Sequence, residues 1–166
     1  MANIAKLVLG VVYPVFCLIL GLGACVATYS DLPNQITIVF DTARVPIVSI
    51  PTPVFVVAMS VVLMFSVSIC SYIAIQKKPF RLIKFQSLAS HGGFFSVVSA
   101  VLMWGATVIH KGLTDWQNAT GPGWWLLLVI VAGLAGAGGS KYLATVIHEK
   151  LSEDSNGSEN GAISDC

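Results

Sequence analysis

Charged residues are excluded from four long stretches of this chain: roughly Leu7–Thr28, Pro53–Ile75, Gln86–Ile109 and Trp124–Leu143. Among Asp, Glu, Lys and Arg, only Lys141 interrupts them, near the end of the last. A helix rises about 1.5 Å per residue and needs about 20 apolar residues to cross a hydrocarbon core of about 30 Å. Each stretch is long enough. The pattern predicts an all-α membrane protein: a bundle of four transmembrane helices over residues 1–151.

Between the first two stretches, residues 29–52 change period. Gln35-Ile36-Thr37-Ile38-Val39-Phe40 alternates in the manner of a strand, with Ile36, Ile38 and Phe40 on one side. Asp41-Thr42-Ala43-Arg44 can turn, and Val45–Ile50 is again β-branched. Pro46, Pro51 and Pro53 mark the strand edges and the start of the second span. These signals predict a short extracytoplasmic β-hairpin. Two strands alone are marginal, so the hairpin should pack on the helix ends.

Charge then supplies direction. Lys77, Lys78, Arg81 and Lys84 crowd the link between spans two and three, the main basic cluster. Positive loops stay in the cytoplasm, which places both termini there and the hairpin outside. Trp104, Trp116, Trp124 and Trp125 gather at the opposite boundary, where amphipathic rings suit the headgroup layer. Membrane lipid is thus the expected environment, and the basic cluster can hold anionic lipid. The tail, residues 152–166, is polar, acidic and rich in Ser, Gly and Asn, and its composition predicts disorder.

The chain's 166 residues are 55% hydrophobic and 10% charged, against about 25% charged in soluble domains. A net charge of +1 excludes an electrostatic programme toward nucleic acid. Cys17, Cys25 and Cys70 fall within spans and form no CxxC pair, which marks them as packing residues. Leu22-Gly23-Ala24-Cys25 resembles a lipoprotein cleavage box, but the preceding apolar run is longer than a signal h-region and further spans follow. An uncleaved first helix is expected.

Catalytic, metal and cofactor sites are not expected. His91 and His110 lie at the two ends of span three, about 28 Å apart on a straight helix, and cannot share a site. His91 and His148, with Glu149 adjacent, can share the cytoplasmic end as a proton or metal pair, but interfacial histidines without function are the expected reading. Span interiors lack the acids and bases that coupled transport leaves behind. No nucleophile–base constellation emerges either. Span four instead carries Ala132-Gly133-Leu134-Ala135-Gly136-Ala137-Gly138-Gly139-Ser140. Small residues four apart let helices approach closely in lipid, so Ala132, Gly133, Gly136, Gly139 and Ser140 are the expected packing face, within one chain or in a homo-oligomer. Gly21 and Cys25 of span one offer a facing groove. Pro14 should kink span one.

The segment from Tyr29 to Asp41 resembles the signature after the first helix of a bacterial membrane domain of unknown function. That domain occurs in immunity proteins against a sporulation-delaying peptide toxin. Leu32, Pro33, Ile36 and Phe40 match its pattern, whereas Thr37 stands in place of a proline and Val39 in place of a histidine. The resemblance implies a multi-span protein of the bacterial plasma membrane, acting in toxin immunity or signalling, with no established catalytic residues. The expected activity is non-enzymatic binding of a peptide or protein partner through the outer loop and helix faces, with Ile36, Ile38, Phe40, Asp41 and Arg44 as contacts. A carrier or channel for a small neutral solute, and an accessory subunit of a larger complex, are the alternatives.

Overall fold

Small residues of the third apolar stretch organise the architecture. In the computed structural model, which describes residues 2–41, 43, 45–76, 81–120 and 124–163, that stretch forms the helix Leu82–His110. Only the backbone is described for residue 2 and residues 154–163. Of its most apolar window 56% is buried, against 22% to 28% for the other three long helices, so it is the central element. Ala89, Gly92, Gly93, Ser96, Ser99, Ala100, Gly105 and Ala106 are its buried small residues. They recur at three- and four-residue steps, which keeps them on adjoining faces of the helix.

Three helices pack around it: Asn3–Asp31, Thr52–Ile75 and Trp125–Ile163. All four are long and apolar enough to span a membrane. Contacts are close because the neighbours are small. A methyl added at Gly92 would stand 2.9 Å from Ile69 of the second helix, and one at Gly21 3.0 Å from the Ala100 backbone. At Gly93 it would fall on the Ser140 hydroxyl and the Gly136 carbonyl of the fourth helix. Where solvent is hydrocarbon on both sides, this close dispersion packing supplies the association energy that water supplies in a soluble bundle.

The first helix is irregular around its proline. It winds as a π turn at Val8–Val12, just before Pro14, and again at Ile19–Gly23. Pro14 has no N–H for the carbonyl of Gly10, its α-helical acceptor. Ser71 of the second helix donates to that carbonyl at 3.1 Å. Tyr13, next to the proline, donates to the Gly93 carbonyl of the third helix at 2.6 Å. Thus the backbone defect predicted at Pro14 is tied to two neighbouring helices.

Most span hydroxyls are satisfied locally. Ser60, Ser66, Ser68 and Ser96 each donate to the carbonyl four residues earlier. Ser99 and Ser140, by contrast, are buried with no hydrogen-bond partner for their hydroxyls among the described residues.

The packing face expected on the fourth helix divides in two. Gly133 meets Phe94 and Val98, Gly136 meets Gly93 and Val97, and Ser140 is buried beside Gly93. Ala132 is half-buried. Gly139, by contrast, has open space around it, as does Gly138. Gly21 and Cys25 face the third helix rather than the fourth: Gly21 abuts Ala100 and Met103, and the Cys25 thiol lies 3.7 Å from the Met103 carbonyl.

All four helices extend beyond the apolar runs that announce them, since helical hydrogen bonding continues into polar flanks. The fourth is assigned through Ile163, past Ser152 where composition predicts disorder. The hairpin joins helices one and two, and the link between helices three and four lies at the same end.

Candidate functional site

The hairpin consists of β1, Gln35–Phe40, and β2, Pro46–Pro51, paired antiparallel. Asp41 closes its turn: its amide donates to the Val45 carbonyl at 2.9 Å, and its carboxylate accepts the Val45 amide at 2.7 Å. Asp41 is therefore a turn residue that remains exposed. Arg44, Lys77 and Lys78 lie outside the described residues. Arg81 and Lys84 are exposed at the opposite end of the bundle.

Register shifts occur on both strands. Thr37 pairs with Ser49 but Val39 with Val48, which leaves Ile38 as an extra residue; Phe40 then pairs with Pro46, leaving Ile47 extra on β2. These paired irregularities cancel and restore the register. Even with these shifts, Ile36, Ile38 and Phe40 all border one cleft beneath the hairpin.

Ile36 does not belong to an open surface. It is 1% exposed, in a cluster with Cys25, Phe55 and Met103. Thr37, its neighbour on the other strand face, is buried too, because the short helix Trp116–Asn118 covers it and the Trp116 carbonyl accepts its hydroxyl at 3.2 Å. The first half of β1 is therefore covered on both faces. Ile38 remains 45% exposed and Phe40 is half-buried.

His110 anchors this arrangement. Its ring is 1% exposed, and Nε2 accepts the Thr37 amide at 3.0 Å. An accepting Nε2 carries no proton, so in the neutral ring Nδ1–H donates to the Ala106 carbonyl, 3.0 Å away. The ring fixes β1 to the last turn of the third helix. Gly112 follows with φ +77°, a left-handed conformation that favours glycine and ends the helix, and its amide donates to the Asp31 carbonyl at 2.9 Å. Thr52 completes the base of the hairpin: its amide reaches the Asn34 carbonyl at 2.9 Å, and its hydroxyl donates to the Pro33 carbonyl.

Tryptophans gather at the same end. Trp125 lies 6.1 Å from Trp104 and 6.4 Å from Trp124, centroid to centroid, and its ring occupies the place a Gly105 side chain would need.

Under the hairpin is an apolar cleft of about 300 Å³. Ile36, Ile38, Phe40 and Ile50 form its roof. Phe55 and Met59 of the second helix, Leu102 and Ala106 of the third, and Trp125 and Val129 of the fourth line its walls. Among the described residues no Asp, Glu, Lys or Arg borders it.

At the far end His91 and His148 take separate partners. The His91 ring faces the Ser87 carbonyl at 2.7 Å, and His148 lies edge-on to Phe85 at 5.9 Å. Among the described residues no group of three His, Cys, Asp or Glu could hold a metal ion.

Comparison with protein-family models, with curated proteins and with solved structures found no match.

Sequence reasoning singled out His110 only as the histidine at the end of span three, and missed its pairing with Thr37 across 73 residues. The signal was faint: a histidine closing an apolar span needs either water or an acceptor–donor pair. It also missed the buried small residues of the third helix, which are interspersed with Phe and Val rather than contiguous.

Proposed function

We propose that this chain is a non-enzymatic integral membrane protein of a bacterial plasma membrane that binds an extracytoplasmic peptide or protein partner through its hairpin. Both termini lie in the cytoplasm in this proposal. Toxin immunity by sequestration is its concrete version.

The hairpin's combination of anchorage and apolar display carries the proposal. One edge is tied down through Thr37, His110 and Thr52, so little ordering entropy remains to be lost on binding. Yet Ile38, Val39, Val45, Ile47 and Val48 stay between 42% and 57% exposed. Stiff β-branched side chains on a pre-organised strand pair suit an extended or helical apolar segment. Ile36 leaves the set of contacts, because it holds the hairpin to the bundle. Substituting Ile38→Asp together with Ile47→Asp should abolish partner binding, or toxin resistance, while the protein still inserts and stays monodisperse. Unchanged binding would sink the proposal.

An accessory-subunit role is the second reading, on one observation. The outer side of the fourth helix presents Ala135 and Gly139 four residues apart, with Gly138 beside them and no atom near either glycine. Such a face admits another helix at close range. A solute path along the Gly-rich span draws no support from the packing, since Phe94, Val97 and Val98 fill the space beside Gly133 and Gly136.

A further inference from the structure

The cleft under the hairpin has a chemistry of its own, and of the exposed strand residues above it only Ile38 also lines it. Its volume, about 300 Å³, equals the space of about ten waters. Water there would find few partners. The two polar side chains at its back wall are already committed: His110 uses one ring nitrogen for the Thr37 amide and the other for Ala106, and the Thr37 hydroxyl is taken by Trp116. Among the described residues, what remains of the lining is aliphatic and aromatic side chains, the Met59 thioether and the indole of Trp125. A polar or charged solute would lose hydration and gain nothing in exchange. Apolar cavities of this kind stay dry and accept apolar matter.

We infer that the cleft binds a single aliphatic chain of a bilayer lipid, with the hairpin as its roof. The rim decides the source. Leu126, which borders the cleft, is 69% exposed and continues into Leu127, Ile130, Val131 and Leu134, the outward face of an apolar helix long enough to span a membrane. In a bilayer that face meets acyl chains, so the mouth is continuous with the hydrocarbon rather than with the aqueous side. The volume is too small for a whole two-chain lipid and suits a segment of one chain. His110 and Thr37 fix the roof by hydrogen bonds that the chain does not need to break. The inference rests on the membrane placement proposed above, and not on partner binding.

The test uses the full chain in phosphatidylcholine vesicles doped with a phosphatidylcholine bearing a mid-chain diazirine. After flotation and irradiation, adducts are mapped by mass spectrometry. Phe55, Ala106 and Val129 line the cleft yet are each only 7% exposed, so lipid bathing the outside of the bundle does not reach them. Phe65, at 70% exposed, reports that outside lipid. The expected result is labelling of Phe55, Ala106 or Val129 as well as Phe65 in the unaltered protein. Ala106→Leu, which partly fills the cleft, should cut labelling at Phe55 and Val129 at least fivefold and leave Phe65 unchanged. Adducts confined to outward residues would overturn the inference, as would cleft labelling that Ala106→Leu leaves intact. Failure to float with the vesicles would overturn it together with the membrane placement, whereas loss of partner binding alone leaves it standing.

Discussion

Thr37 and His110 form the junction between the hairpin and the bundle: the Thr37 amide donates to Nε2 at 3.0 Å inside a region that solvent does not reach. This bond turns a two-stranded ribbon, marginal by itself, into a fixed feature of the third helix. It also determines the tautomer of the ring and orders the roof of the cleft.

Replacing the ring tests that junction. His110→Ala leaves the Thr37 amide buried without an acceptor, at a cost of about 1–3 kcal/mol. Amide hydrogen exchange over Gln35–Phe40 should accelerate by about one to two orders of magnitude, with the core of the third helix much less affected. Equal acceleration throughout would mean that His110 supports the bundle as a whole and not the hairpin in particular.

Pro14 and Ser71 offer a double-mutant cycle. Ser71→Ala removes the donor to the Gly10 carbonyl, and Pro14→Ala restores a backbone N–H of the first helix. Hydrogen bonds within membranes average about 0.6 kcal/mol in such cycles. Ser71→Ala should therefore destabilise by roughly that amount alone and by less in the Pro14→Ala background. Detergent-denaturation midpoints measure both, and strict additivity would contradict the role assigned to Ser71.

Glycines of similar appearance should behave oppositely. A methyl at Gly93 collides with Ser140 and Gly136, so Gly93→Ala should cost about 1–3 kcal/mol through overpacking. A methyl at Gly139 meets nothing, and Gly139→Ala should be neutral or stabilise by up to about 1 kcal/mol from helix propensity. Thermal unfolding in detergent separates the two. A large loss at Gly139 would instead reveal a neighbour on that face.

Gly105 and Trp125 yield a related expectation. The indole occupies the volume beside Gly105, so Gly105→Ala must displace it. A shift in tryptophan emission and a loss of about 1–3 kcal/mol are expected. An unchanged spectrum would contradict this packing.

Much of the architecture was legible because two patterns are imposed by physics. Uncharged runs of about 20 residues mark helices able to cross hydrocarbon. The shift to period two at Gln35, with a turn at Asp41, marked the hairpin within one residue of its observed strands. Side-chain assignments within the hairpin were less legible. Ile36, Ile38 and Phe40 do border one cleft, but Ile36 is buried against the bundle while Ile38 stays 45% exposed, a difference that alternation alone does not reveal. Gly139 looked like Gly136 in sequence, but it stands to one side of the line through Gly133, Gly136 and Ser140 that packs on the third helix, and no neighbour comes near it. Pairings such as Thr37 with His110 and Ser71 with Gly10 depend on how elements dock, and no local pattern announces them.

Partner binding by the hairpin is tested most directly by purification of the intact protein from its own membranes in mild detergent. The unaltered chain and the Ile38→Asp, Ile47→Asp double variant are compared by mass spectrometry. A stoichiometric peptide or protein accompanying the unaltered chain and absent from an equally well-inserted variant is the predicted result. The same partner retained by both, or an unaltered chain accompanied by lipid alone, would contradict it.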